Sequence, residues 1–202
     1  MVPADVPVTV KCRLGVDAHD SEDFFRCFID TVAQSGCEVF IVHARKAWLS
    51  GLSPRENREI PPLDYARVQR LKSDRPELTV VLNGGLREFA EIAAAVATLD
   101  GVMLGRAAYH EPYLLAFWQR LLFGGPDPLP SRVEVMDRMR GYIGQYLAAG
   151  GELRHIARHL LGLYQGAPGA RAFRRTLSEA RPGATLAVLD AALECVERRA
   201  AA

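Results

Sequence analysis

The stretch "VLNGGLREFAEIAAAVATLDGVMLGRAAYHEPYLL", Val81 to Leu115, decides how the chain is read. It holds two short apolar runs, "VVLN" and "GVML", each closed by glycine and each followed by a segment with helical spacing. Strands that are apolar throughout, rather than alternating, belong to a parallel sheet covered by helices. Asn83-Gly84-Gly85 and Gly105-Arg106 stand at corresponding points of two successive strand-to-helix junctions. Glycine there is ordinary turn chemistry, and it also lets backbone N–H groups approach an anion closely.

Working outward, the same alternation extends towards the N-terminus. "VPVTVKCRLG" reads as a β-branched strand closed by glycine, and "DSEDFFRCFIDTVAQSG" as a helix with an Asp/Ser start and a terminal Gly36. "CEVFIVHAR" is a second strand, and a long polar connection leads to "IPPLDYARVQRLKSD", expected as a proline-started helix. About four strand–helix units follow one another up to residue 123. After "GGPDPLP" the pattern changes, and from Ser131 onward only helical segments are found, separated by "AAGGE", "QGAPGA" and "RPGA". The expectation is therefore an α/β part over residues 1–123 and a small all-helical domain over residues 131–202. Four such units are half of a (β/α)8 barrel, which takes eight to close. A fragment, a shortened reading frame and a small open α/β sheet all fit that count.

Composition narrows the classes. Apolar residues make up 49% and charged residues 24%, as in ordinary globular chains. The formal net charge of +1 hides an asymmetry. Between Arg132 and Arg181 nine Arg face four Asp or Glu, whereas residues 1–131 hold 14 Lys or Arg against 17 acids. A basic C-terminal third points to an acidic partner. Four cysteines, Cys12, Cys27, Cys37 and Cys195, show no paired spacing, so reduced thiols in a cytoplasmic protein are expected. No apolar run approaches membrane-spanning length, and "MVPADVPVTV" lacks the regions of a signal peptide.

In parallel α/β folds the ligand end is the carboxyl end of the strands. There the four strands present Lys11 and Arg13, His43 and Arg45, Asn83-Gly84-Gly85, and Gly105-Arg106. The last two junctions match the barrel phosphate site, built from the loops after the final two strands, with Arg106 able to grip phosphate through two parallel hydrogen bonds. Each residue has a plain alternative: a solvent-facing lysine, a satisfied imidazole, a simple turn. Four consecutive polar strand ends outweigh those alternatives taken singly. Cys12 alternates with Lys11, so it is expected on the helix-covered face as a structural thiol. Arg55 and Arg58 lie in the long connection, and Arg171, Arg174 and Arg175 recur at helical spacing. Arg154 and Arg158, with His155 and His159, form another such face, and arginine is favoured where phosphates are gripped.

The segments "PVTVKCRLGVD", "GCEVFIVHARKAWLSGLSPRENREIPPL", "VLNGG" and "DGVMLGRAAYHEPYLL" resemble the second half of a tRNA-dihydrouridine synthase, a family of flavin enzymes that reduce uridine in tRNA. "HARKAWLSGLSPRENREIPPLDY" is most similar to the A-type subfamily, which acts on D-loop uridines, and "RHLLGLYQGAPGARAFRRTLS" is similar to that subfamily's C-terminal helical domain. The resemblance implies the C-terminal half of a TIM (β/α)8 barrel followed by a helical tRNA-binding domain. It implies FMN as cofactor, NADPH as reductant and tRNA as partner. Lys11 would lie by the pyrimidine end of the flavin, and His43 would line the pocket near cofactor and base. Asn83, Gly84, Gly85, Gly105 and Arg106 would hold the FMN phosphate, and Arg55, Arg58, Arg171 and Arg174 would orient the tRNA.

One departure bears on mechanism. The family's proton-donating cysteine sits in an Asn-x-x-x-Cys-Pro motif, and no such motif occurs in this sequence. None of the four cysteines matches it, so no catalytic residue and no metal ligand is assigned. The chain alone is expected to be inactive, and an open half-barrel is expected to self-associate through its sheet edges. Two other functions fit the residues: a non-catalytic RNA-binding relic, and another FMN- or phosphate-binding barrel oxidoreductase such as a pyrimidine-reducing dehydrogenase.

Overall fold

The computed structural model describes residues 3, 6–125 and 127–200. The chain divides into two compact units, Met1–Leu104 and Gly105–Ala202.

The first unit carries four strands, β1 (Thr9–Arg13), β2 (Val39–His43), β3 (Thr79–Asn83) and β4 (Gly101–Met103). They form one parallel sheet in sequential order, with β1 and β4 at the edges. This is the expected α/β architecture, consistent with part of a barrel. Between the strands lie α1 (Glu22–Gln34), α2 (Tyr65–Asp74) and α3 (Phe89–Val96). Strand register puts odd-numbered residues on one face and even-numbered ones on the other. Phe40, Val42, Val80 and Leu82, all even, are buried almost completely, whereas odd-numbered Ile41 and Val81 are half-buried and Lys11 is exposed. Helices α2 and α3 pack on β3 and β4, and Phe25 and Ile29 of α1 are buried.

Local chemistry sets the helix limits. The Ser21 hydroxyl accepts from the Phe24 amide at 3.1 Å and starts α1, and Gly36, at φ +92°, follows its end. Helix α2 does not begin on its prolines. Asp64 caps it, its carboxylate accepting from the Arg67 amide at 2.9 Å, so Pro61 and Pro62 lie outside the first turn. A carboxylate satisfies an orphan amide, which proline at the first position can only avoid. Glu22 of α1 reaches Arg67 and Arg70 of α2, each at 3.2 Å, and Arg26 pairs with Asp74. The Arg26–Asp74 and Arg70–Glu22 pairs lie near the surface, whereas Arg67 is half-buried, and the three fix the alignment of the two helices.

From Gly105 onward all described elements are helices: α4 (Arg106–His110), α5 (Leu114–Phe123), α6 (Arg132–Ala148), α7 (Leu153–Leu160), α8 (Ala170–Ser178) and α9 (Leu186–Ala200). A capping box starts α6, with Ser131 and Glu134 bonding each other's backbone amides at 3.2 and 2.7 Å. Met136, Ile143, Leu153, Phe173, Leu177 and Leu189 form the centre of this unit's core. Arg140 of α6 grips Asp190 of α9 with two parallel hydrogen bonds, the Nη2–Oδ2 one at 2.9 Å.

The difference between the two sheet faces is testable. Phe40→Ala on the helix-covered face should cost about 3–5 kcal/mol, while Lys11→Ser on the other face should stay within about 0.5 kcal/mol. Urea unfolding followed by circular dichroism reads both.

Candidate functional site

The carboxyl ends of the strands carry a transverse row of side chains. Register aligns Arg13 with His43, His43 with Asn83, and Asn83 with Met103. Neighbours in such a row stand about 4.8 Å apart, so their side chains share one edge of the sheet. Lys11 sits one step deeper than a strand end: it is the middle residue of β1, paired with Ile41, on the same face as Arg13. Partial burial lowers the Lys11 pKa, and the Arg13 charge adds to that effect.

Beyond this row the chain turns at Asn83-Gly84-Gly85. The Asn83 side chain donates from Nδ2 to the Met103 carbonyl at 2.7 Å, tying the turn to β4. Gly84 and Gly85 have φ of +110° and +73°, in the region that favours glycine. Space excludes a side chain as firmly as the backbone does. A Cβ on Gly84 would stand 2.6 Å from Cδ2 and 2.9 Å from Nε2 of the His43 ring. A Cβ on Gly85 would stand 2.5 Å from Leu63 Cδ1 and 3.0 Å from the Tyr65 hydroxyl. The backbone of the turn is thus laid directly against an imidazole that is itself buried.

Tyr65 and Leu63 were not singled out in the sequence. The Tyr65 hydroxyl donates to the Gly84 carbonyl at 2.7 Å, which fixes the plane of the peptide linking the two glycines. Burial raises the Tyr65 pKa, Glu91 raises it further, and Arg45 opposes them, so the phenol stays protonated and keeps donating at neutral pH. The only signal was position: "PPLDY" ends the connection, so its tyrosine opens α2 beside β3.

A second feature is a concentration of cations. Arg13 donates to the carbonyls of Lys46 and Asn57 at 2.9 and 2.8 Å, which draws the connection between β2 and α2 onto the end of β1. Its pKa is lowered by burial, then by Arg58 and Arg45, so three guanidinium groups sense one another. Arg45 donates to the Pro61 carbonyl. Arg58 ends a short 3-10 turn, Glu56–Arg58, and Arg55 just before it is almost fully exposed, with Glu59 Oε1 3.7 Å from its Nε. A site of this make-up attracts anions.

Gly105 and Arg106 open the second unit, Gly105 as the cap of α4 and Arg106 as its first residue. Arg171 and Arg174 lie on α8, Arg171 exposed and Arg174 half-buried with its guanidinium donating to Gln165 at 2.9 Å. On the other basic face read from the sequence, Arg154 pairs with Glu152, and Arg158 donates to the His159 ring at 3.2 Å.

Cys12 lies on the helix-covered face, and burial pushes its thiol up to about 11, slightly offset by Lys11. It is almost wholly protonated at neutral pH and a poor nucleophile or acid–base group. Cys37 is buried, and Cys27 is exposed on α1. Among the described residues no cluster of three or more His, Cys, Asp or Glu could hold a metal ion, and no helix is long and apolar enough to cross a membrane.

The chain is similar along nearly all of its length to known proteins. The family model described as dihydrouridine synthase (Dus) matches residues 2–200. The chain is 53% identical over 194 residues to the tRNA-dihydrouridine(20/20a) synthase of Escherichia coli (strain K12), covering 95% of this chain and 56% of that protein. It is 51% identical over 195 residues to the protein of the same description from Shewanella oneidensis, covering 96% and 58%. For Vibrio cholerae the identity is 52% over 192 residues, covering 94% and 59%. The chain thus spans between 56% and 59% of the length of these curated relatives.

Two outcomes are expected. Gly84→Ala should destabilise more than Gly36→Ala: both residues have positive φ, but only Gly84 also meets a ring, as nothing lies within 4 Å of a Cβ on Gly36. Urea titration of the two variants compares them. At pH 8 iodoacetamide should modify exposed Cys27 well before Cys12, whose thiolate fraction is about one in a thousand; peptide mass spectrometry over time follows the order.

Proposed function

As the chain belongs to the dihydrouridine synthase family, we propose that it serves the reduction of tRNA D-loop uridine to dihydrouridine, with FMN as cofactor and NADPH as reductant. The observation that carries this reading is the Asn83-Gly84-Gly85 turn, where the positive φ values and the neighbouring His43 and Leu63 leave room for backbone only. Such a turn suits the terminal phosphate of FMN, because amides without side chains in front of them can donate directly to phosphate oxygens. When bound and reduced by NADPH, the flavin would supply hydride for uracil C6.

The chain's own residues bind and position. Gly84 and Gly85 offer amides to phosphate, Asn83 braces them against β4, and Tyr65 sets the Gly84 peptide plane. Lys11 places a cation on the same sheet face as His43, where it would stabilise negative charge at the pyrimidine end of a flavin. His43 contributes an imidazole edge to that pocket. Gly105 and Arg106 are proposed as phosphate ligands in their own right. Arg55, Arg58, Arg171 and Arg174 are proposed to meet tRNA phosphates, fixing the register of the RNA without reading its bases.

The proton required at uracil C5 is assigned to no cysteine of this chain. Cys37 is buried, Cys12 is half-buried with its thiol pushed up to about 11, and the sequence holds no Asn-x-x-x-Cys-Pro motif. By itself, then, the chain is proposed to bind cofactor and RNA without completing turnover. The edge strands β1 and β4 are proposed as places of self-association.

Flavin fluorescence tests the phosphate reading. FMN should bind at least about tenfold more tightly than riboflavin, which lacks the phosphate, since charge-assisted hydrogen bonds are among the strong ones. Equal binding of the two, or none of either, would overturn the assignment. For RNA, Arg171→Ala and Arg174→Ala should each lower the salt slope of tRNA binding by about one, measured by filter binding across ionic strength.

A further inference from the structure

The connection between β2 and α2 holds an aromatic residue that the roles above leave unused. Trp48 is 40% exposed, and the next residue, Leu49, is 77% exposed. Leaving two large apolar side chains in water is a cost that a flexible loop could avoid by folding them inward. This loop is not free to do so. The Asn57 side chain closes a ring on Trp48, its Oδ1 accepting from the Trp48 amide and its Nδ2 donating to the Trp48 carbonyl, both at 2.7 Å. Asp17 accepts from the Leu49 amide at 2.9 Å and donates its own amide to the Ala47 carbonyl at 2.8 Å. Asp17 holds a left-handed conformation at φ 50°, a backbone state that few residues with a side chain adopt and that Asp enters with the help of local hydrogen bonds. Arg13 reaches from β1 to the Lys46 and Asn57 carbonyls, anchoring both sides of the ring to the sheet.

The indole also has a cation against it. The Lys46 ammonium stands 4.4 Å from the Trp48 ring centroid and is held there by Asp20 at 2.7 Å. Between Ala44 and Ile60 the sequence carries four cations, Arg45, Lys46, Arg55 and Arg58, against two carboxylates. A rigidly mounted open aromatic face within a basic loop is the pairing used to hold single-stranded nucleic acid: the ring stacks on a base, and the cations meet the flanking phosphates.

We propose that Trp48 is a stacking platform for an unpaired base of the RNA. The proposal rests on the RNA-binding reading above and adds a contact to a base where that reading has contacts to phosphate. A base is the occupant that the charges favour, since an apolar protein partner would have to cover Lys46 and Arg55. Stacking is tolerant of base identity, so Trp48 would hold an unpaired nucleotide in place rather than select it.

The test uses the whole chain and two labelled RNAs, a D-arm stem–loop transcript and a duplex of the same length without unpaired bases. Trp48→Ala should weaken stem–loop binding about tenfold, read by fluorescence anisotropy, and leave duplex binding and the salt slope unchanged. Trp48→Phe should retain most of the affinity, because a smaller ring still stacks. Arg55→Ala should instead lower the salt slope for both RNAs. The proposal is overturned if Trp48→Ala binds the stem–loop as the parent does, or loses both RNAs equally. It is also overturned if Trp48 proves covered by a second copy, seen as a parent dimer that Trp48→Ala dissociates in light scattering. If the parent binds neither RNA, the RNA-binding reading itself fails, a result distinct from all of these.

Discussion

A methyl group has no place on Gly84, and much of the first unit is arranged around that exclusion. The His43 ring fills the space a side chain would need, so the end of β2 and the turn after β3 are held in direct contact. His43 is buried, and the strand behind it carries Phe40 and Val42 into the helix-covered face, both fully buried. The sheet register then fixes Arg13 and Asn83 on either side of His43. Tyr65, delivered by the first turn of α2, locks the Gly84 carbonyl from another direction. A glycine turn alone would be mobile. Here it is pinned from two sides, the condition for backbone amides to act as a preorganised anion site.

The same logic extends to the long connection. Arg13 spends two hydrogen bonds on the carbonyls of Lys46 and Asn57, so a side chain at the end of β1 shapes the loop that carries Trp48, Arg55 and Arg58. Burial first, and then repulsion from Arg58 and Arg45, lowers the Arg13 pKa, and an arriving anion would relieve the repulsion. The glycine turn and the basic loop therefore depend on adjacent residues of one strand row, although they are far apart in sequence.

Much of this was legible from residue order. Apolar runs, three of the four closed by glycine, marked the parallel strands, and the period of two placed Cys12 opposite Lys11, where burial now explains its raised pKa. The glycine pair marked the turn after β3. What residue order could not give were the contacts across sequence distance. Tyr65 reaches Gly84 across 19 positions, and Asn57 closes its ring on Trp48 across nine. Both residue types are common in loops for other reasons, so neither carries a local signal. Two local competitions also went unresolved in the sequence. Asp64 starts α2 in place of the prolines because it can accept an amide, and Glu152 takes Arg154 out of a face that looked uniformly basic.

The central claim is that the amides of Gly84 and Gly85 form an anion cradle held open by His43 and Tyr65. Amide resonances of isotopically labelled protein, followed during titration with FMN, test it at the atoms concerned. The account predicts that the Gly84 and Gly85 cross-peaks move together along one saturation curve, and that Tyr65→Phe shifts their starting positions and weakens the response. Saturation with FMN that leaves both cross-peaks in place while others move would contradict it.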